Sequence, residues 1–289
     1  MAKVPALLIA MTLTAVAGCS RPATSLEQLA QARTIASDLL VQFTKAADAG
    51  NRAVMADTDE ASVAFARESG DATQAVEKNI EVLAPLLRNL QYSTESGLLT
   101  EFADRFASYR ALDQDILGMA VENTNLKAQR LSFGSAQQSA DAFRDALETL
   151  KRATSSQDQW RAEALAAEAL SAVRRIQVLQ APHIAEADDA EMTRMEKEMA
   201  ESEAAARLSV QTLLSLAPPA VRPRLTAATE ALDRFMGVNA EIVTLSRRNT
   251  NVRSLALTLG QKRGLTARCE ETLLTLQAAL LKRGFTATR

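Results

Sequence analysis

Apolar residues recur along this chain at alternating spacings of three and four, the pattern of a helix packed nearly parallel to its neighbours. The first stretch holds Leu29, Ala32, Ala36, Leu39, Phe43 and Ala46, and Ser25-Leu26-Glu27-Gln28 ahead of it has the S-x-x-Q form of a capping box. Gly50-Asn51 is a candidate kink or end, and Asp57-Thr58-Asp59 a candidate turn. A second stripe, Val76, Ile80, Leu83, Leu87 and Leu90, predicts a helix to about Gln91, bent at Pro85 because proline removes a backbone donor. Tyr92 to Gly97 interrupts the pattern. A third helix is predicted from about Leu98 to Phe133 on the stripe Leu99, Phe102, Phe106, Tyr109, Leu112, Ile116, Met119, Asn123, Leu126, Arg130 and Phe133. Gly134 is its expected stop, by the left-handed cap that glycine adopts cheaply. A fourth carries Phe143, Leu147 and Leu150 before the polar run Thr154-Ser155-Ser156-Gln157.

The same pattern returns 126 positions later. Tyr109, Leu112, Ile116, Met119 and Asn123 correspond to Phe235, Val238, Ile242, Leu245 and Asn249. Gly134 corresponds to Gly260, Leu147 and Leu150 to Leu273 and Leu276, and the break at Tyr92-Ser93 to Pro218-Pro219. This is a tandem duplication with four helix candidates per copy. Four amphipathic helices with one apolar stripe each meet the requirement for a four-helix bundle, and no segment alternates like a strand. The expected fold is therefore all-α, two up-down four-helix modules over 25–153 and 154–289. The join between the copies holds neither Gly nor Pro, so a continuous helix there would set the bundles end to end; side-by-side packing is the other arrangement the pattern allows.

Composition agrees. Of 289 residues, 47% are hydrophobic but only 4% aromatic, an Ala/Leu core suited to close helices. A formal charge of −2 argues against nucleic acid as a partner. Residues 1–18 form a leader, with Lys3 ahead of an apolar run from Val4 to Ala17 that is too short to span a bilayer. Val16-Ala17-Gly18-Cys19 resembles the lipobox of bacterial lipoproteins, which implies cleavage before Cys19 and a lipid on its thiol. Residues 19–24 are then a tether. Ser20 follows the cysteine where that family's inner-membrane retention signal places aspartate, so the resemblance implies a cell-envelope protein sorted to the outer membrane and facing the periplasm. Cys269 is left alone, on a stripe position equivalent to Phe143, and is expected to be a buried, inert thiol.

Catalytic and metal chemistry find little support. His183, the single histidine, sits beside Pro182 with no Cys or His at ligand spacing, so neither a zinc site nor a His-based nucleophile can be assembled. The stripe Met192, Met195 and Met199 reads as packing, and the acidic run from Glu186 to Glu203 as a solvated face. No enzyme activity and no cofactor are expected.

What stands out is Asn123-Thr124-Asn125 and its twin Asn249-Thr250-Asn251. The stripe places Asn123 and Asn249 on the inward seam, where an amide without partners costs about 1–3 kcal/mol. One reading is a polar residue that fixes helix register. The other is a polar notch for a small ligand, with Asn125 and nearby arginines adding donors. Arg105, Arg110 and Arg130 lie near the first step and Arg247, Arg248 and Arg253 near the second; on the stripe only Arg130 is inward, and its twin is Ala256.

From Phe106 to Leu150, and again from Leu232 to Leu280, an aromatic group, an Ile-containing seam, an Asn-rich step and a glycine followed by leucines appear in order. This resembles the periplasmic four-helix-bundle sensor module of methyl-accepting chemotaxis receptors, and two modules are similar to that family's helical bimodular variety. The resemblance implies a sensor that binds small metabolites, often carboxylates or amino acids, through arginine and polar side chains between helices, and that is commonly dimeric. Arginine suits the task because its planar fork pairs bidentately with a carboxylate. Those receptors continue into a second span and a cytoplasmic hairpin, which this sequence does not show, so the expectation is a module that hands its signal to a partner protein. The rival expectation is a structural or adaptor lipoprotein whose helical faces bind other envelope proteins. Under the sensor reading the candidate ligand residues are Asn123, Asn125, Arg130, Arg105, Arg110, Asn249 and Arg253.

Overall fold

A computed structural model describes residues 24–148 and 159–284. The leader 1–18, Cys19, the tether up to residue 23 and the join between the copies lie outside these residues. Among the described residues there is no strand; ten α-helices follow one another as α1 (Ser25–Val54), α2 (Asp59–Asn89), α3 (Ser93–Glu122), α4 (Thr124–Leu131), α5 (Gln137–Glu148), α6 (Gln159–Ala185), α7 (Asp189–Leu216), α8 (Arg222–Arg248), α9 (Thr250–Leu257) and α10 (Arg263–Lys282). Two π-helical turns, Ser132–Ala136 and Thr258–Lys262, join α4 to α5 and α9 to α10. The chain is all-α, as the pattern predicts.

Local signals explain most ends. The capping box of α1 is built one residue earlier than expected: the Thr24 hydroxyl accepts from Glu27 N and the Glu27 carboxylate accepts from Thr24 N. Thr58 caps α2, accepting from Ala61 N at 3.1 Å, and Asp188 caps α7, accepting from the N–H groups of Ala190 and Glu191. Gly134 and Gly260 are not stops, because the helix runs through both inside the π turns. The stop comes eleven residues sooner, at Asn123 and Asn249, whose φ,ψ of 56°, 42° and 53°, 37° are left-handed. The expected single helix from Leu98 to Phe133 is thus two helices with different faces inward. Arg130 and Phe133, placed on the stripe by a continuous period, are exposed.

The cores do not divide at 153/154. One is built from α1, α2 and α3 together with Cys269, Leu273, Leu276 and Leu280 of α10. The other is built from α6, α7 and α8 together with Ala128 of α4 and Ala140, Phe143 and Leu147 of α5. Each copy therefore contributes three helices to one bundle and its fourth to the other. The change of bundle takes place at the two asparagines, where the chain passes on into the neighbour instead of turning back along its own. The bundles meet at their ends: Val54, Ile116 and Ala120 cluster with Leu257 there, and α1–α3 do not pack along α6–α8.

The two cores are filled differently. In the first, Phe43 meets Phe102, Phe106 and Tyr109 edge-on at centroid distances of 5.9, 6.1 and 5.1 Å, and Phe102 stacks on Phe106 at 5.6 Å. The equivalent positions of the second are Ala169, Ala228, Leu232 and Phe235, with Phe143 of α5 taking up the space. Met192, Met195 and Met199 are all buried, and Met199 belongs to this core. Cys269 lies in the aromatic core, fully buried, and burial pushes its thiol up to about 12, as its stripe position predicts for an inert group.

At the far end of the first bundle Arg283 closes α10 onto α3. Its Nε and Nη2 lie 2.7 Å from the two carboxylate oxygens of Glu95, which is 1% exposed. Arg33 of α1 adds hydrogen bonds to the carbonyls of Leu280 and Arg283. The hydrogen bonds from Arg283 hold the Glu95 carboxyl below its ordinary value. A carboxyl depressed in the folded state stabilises above its unfolded value, and that stabilisation is lost as pH falls through the folded value. Glu95→Gln should accordingly cost about 1–3 kcal/mol at pH 7. In urea titrations across pH, the gap to wild type should close below about pH 4; a gap of constant size would show that the carboxylate charge is not what holds α10 down.

Candidate functional site: the crossover

A helix that restarts after a left-handed residue presents N–H groups with no acceptor in its own turn. At Asn123 and Asn249 these groups find acceptors on the other copy. Thr124 N donates to Thr250 Oγ1 at 3.0 Å and Thr250 N to Thr124 Oγ1 at 3.2 Å. Asn125 N donates to Asn251 Oδ1 and Asn251 N to Asn125 Oδ1, both at 3.1 Å. Each helix start is therefore capped in trans by its twin, with the reciprocity of a two-fold axis inside one chain.

The asparagine amides complete the network. Asn125 Nδ2 donates to Asn249 Oδ1 at 2.8 Å and to the Ile184 carbonyl at 2.6 Å. Asn251 Nδ2 donates to Asn123 Oδ1, Asn249 Nδ2 to the Glu186 carbonyl at 2.6 Å, and Asn123 Nδ2 to Asp59 Oδ1 at 2.9 Å. Asn123, Thr124, Asn125, Asn249 and Thr250 are all buried. The network ties the ends of α2 and α6 to the crossing helices and leaves none of these four amides without a partner.

Apart from the exposed Arg253, the arginines near the two steps are engaged by the protein. Arg130 Nη1 lies 2.8 Å from Asp59 Oδ2, so Asp59 joins Asn123 to Arg130. Arg247 reaches Glu196 at 2.6 and 3.0 Å, and Arg248 pairs with Glu122. The guanidinium of Arg247 holds the Glu196 carboxyl below its ordinary value, and buried His183 leans on the same carboxylate at 2.9 Å and on Ser246 at 2.8 Å. Arg110 pairs with Glu77, and Arg105 bonds α10 through Thr272 and the Arg268 carbonyl. These two lie about 20 Å or more along α3 from the asparagine. Arg253 is exposed. The structure thus gathers Asn123, Asn125, Asn249 and, through Asp59, Arg130; it leaves Arg105, Arg110 and Arg253 outside the gathering.

Beside the crossover runs a groove of about 330 Å³ between α4, its π turn and the end of α6. Leu126, Gln129, Phe133, Ala181, Ile184 and Val252 are among its lining, which includes no charged side chain. Phe133 is 72% exposed and its twin Leu259 64%, so both π turns carry an apolar side chain into solvent. Among the described residues no group of three or more His, Cys, Asp or Glu is placed to hold a metal ion, and no helix is long and apolar enough to cross a membrane.

Among the buried polar residues that the apolar stripe does not mark are Asp113 and Lys262. They lie 2.6 Å apart at 3% and 1% exposure, a charge contact whose angles fall short of a hydrogen bond. A strict alternation of three and four from Leu99 leads through Phe102, Phe106, Tyr109, Asp113, Ile116 and Ala120 to Asn123, which is the buried set. The expected stripe, with the more apolar Leu112 and Met119, lies one residue off the buried Asp113 and Ala120. The same shift hides Asn239 and Ser246 behind Val238 and Leu245.

No family profile and no curated protein matches the sequence. Among solved structures, the chain is similar to the sensor domain of the Vibrio parahaemolyticus histidine kinase TorS, at 12% identity over 90% of this chain and 98% of that one, with a TM-score of 0.46. It is also similar to a chain of the complex of the TorS sensor domain with TorT in the presence of TMAO, at 12% identity over 90% of this chain and 100% of that one, with a TM-score of 0.32. At that identity and overlap neither says what this chain binds.

The trans caps make a direct prediction. Thr250→Val keeps shape but leaves the buried Thr124 N–H without its acceptor, and should cost about 1–3 kcal/mol in urea unfolding. Thr124→Val should cost a similar amount, and the double variant less than the sum, because the two hydroxyls share one network. Strict additivity would mean that the two caps are independent.

Proposed function

We propose that this chain is a non-catalytic, sensor-type helical module of the cell envelope, carried on a lipid at Cys19, that works by contact with a protein partner, and that the crossover is the joint through which its two bundles feel each other. The observation that carries the reading is the reciprocal capping at Asn123-Thr124-Asn125 and Asn249-Thr250-Asn251. A displacement of either crossing helix breaks a cap on the other, so an event on one bundle has a physical route to the next.

The state of the polar groups favours a protein partner over a small carboxylate at the asparagine step. A carboxylate is held best by a vacant cationic fork shielded from water, and beside the step Arg130, Arg247 and Arg248 already face Asp59, Glu196 and Glu122 while Arg253 lies exposed. The exposed Phe133 and Leu259 flanking the joint suit an apolar contact with another protein. A second reading, a small neutral metabolite, is favoured by the groove beside α4, whose volume is at the lower end of ligand pockets and whose lining includes no charge.

A thermal-unfolding screen separates the two. A ligand at about a hundred times its dissociation constant adds roughly 2.7 kcal/mol to stability. Neutral metabolites, organic acids and amino acids should all give no shift, and a shift of that size from any of them would replace the partner reading. Phe133→Asp and Leu259→Asp should leave the fold intact while removing a cross-linked envelope partner; unchanged cross-linking would move the contact off the π turns. For the anchor, Cys19→Ser should release the protein from membranes, and undisturbed membrane association would sink the lipid assignment.

A further inference from the structure

The fold poses a choice that the tandem repeat alone leaves unresolved. After α3 the chain can turn back at Asn123, so that α4 and α5 complete the bundle of α1–α3, or pass on into the neighbour and leave that place to α10. The first arrangement, called closed here, is the simple up-down bundle. The second, crossed, is the one observed. The repeat makes the competing helices equivalent, and α5 precedes α10 in the chain by 126 residues. Something must exclude it.

Three layers of side chains differ between the copies, and each matches only in the crossed arrangement. Lys262, the last residue of the second π turn, is buried against Asp113 at 2.6 Å and lies 5.7 Å from the centre of the Tyr109 ring. Gly50 leaves the room: a Cβ there would fall 2.6 Å from Lys262 Nζ and 3.0 Å from Asp113 Oδ1. At the equivalent places of the second bundle stand Asn239, Ile176 and Phe235, all buried, opposite Ala136. In the closed arrangement Lys262 would be buried without its counter-ion where Ile176 occupies the space of Gly50, and Asp113 would face Ala136. An unpaired buried charge is among the costliest errors a core can hold.

The second layer is neutral. Ser132 of the first π turn donates to Gln180 Oε1 at 2.7 Å, and Gln180 Nε2 donates to Asn239 Oδ1 at 2.9 Å. The position equivalent to Gln180 in the first bundle is Val54, which offers Ser132 nothing. The third layer is volume. Phe143 fits the second core opposite Ala169 and Ala228, and Cys269 fits the first opposite Phe43, Phe102 and Phe106. Exchanging them would overpack one core and leave a cavity in the other.

We propose that closed and crossed topologies compete for this chain, and that the buried Lys262–Asp113 pair, together with the matched sizes of Phe143 and Cys269, selects the crossed one. The selection is independent of what the protein binds. It acts in the way a single buried polar residue fixes partner and register in a coiled coil.

Spin labels read the topology of the full chain. Exposed cysteines are introduced at Ser108 of α3 with Glu271 of α10, and at Ser108 with Asp145 of α5, in a Cys19→Ser, Cys269→Ala background. The crossed fold gives a short distance for the first pair and a long one for the second. Exchanging the code by Lys262→Ala, Ala136→Lys, Phe143→Ala and Cys269→Phe should reverse the two distances, and retention of the original pattern overturns the proposal. If that variant fails to fold, Lys262→Met with Asp113→Asn is refolded from denaturant. A short Ser108–Asp145 population should then appear beside the native one, and a purely crossed product overturns the proposal equally.

Discussion

A backbone N–H taken out of water must find an acceptor, and at two places in this chain the acceptor belongs to the other copy of the repeat. The left-handed residues Asn123 and Asn249 end one helix and start the next within a single residue, which exposes Thr124, Asn125, Thr250 and Asn251 N–H groups that their own turns cannot serve. Because the twin step supplies the hydroxyls and amides, the two breaks exist only as a pair. The mutual distances of 3.0 to 3.2 Å follow from that single requirement. The point where the fourth helices pass between bundles, and the end-to-end meeting of the cores, are built around it.

The arrangement turns a duplication into one unit. A tandem repeat would ordinarily give two separable domains with a linker. Here the second bundle is the contiguous stretch of α4 to α8, inserted between α3 and α9 of the first, and the polar residues at the insertion point are shared. The asymmetries that accumulated between the copies lie where sharing matters: a lysine against a glycine and an aspartate on one side, an amide chain on the other, and a traded aromatic. These are differences between positions that the offset makes equivalent, so each bundle serves as the internal reference for the other.

Helix content, the offset and the burial of the asparagines were legible in the sequence because each rests on a periodicity that spans many residues. What was not legible turned on single residues. Thr24 competes with Ser25 as cap, and one carboxylate from Glu27 decides between them. Gly134 looks like a stop because glycine is cheap in left-handed conformation, yet the conformation is used at Asn123, where an amide can also bond across the chain. Asp113 is hidden beside Leu112 because spacing alone places it inward, against its hydrophilicity. The destination of the fourth helix could not be read at all: an apolar stripe says that a helix is buried, and says nothing of which of two equivalent cores receives it. Of the candidate site, the asparagines and Arg130 come together, while Arg105 and Arg110 serve the α3–α10 and α2–α3 seams.

Insertion of one bundle within the other sets a timetable for synthesis. A chain that emerges from its N-terminus presents α1, α2 and α3 with Phe43, Phe102, Phe106 and Tyr109 on their inner faces, and then makes the whole of the second bundle before α10 exists to cover them. The later bundle is thus the first that can be finished, while the earlier one waits as a three-helix intermediate with its stickiest surface open. Any factor that shields nascent chains would be needed most during the interval between Glu122 and Arg263.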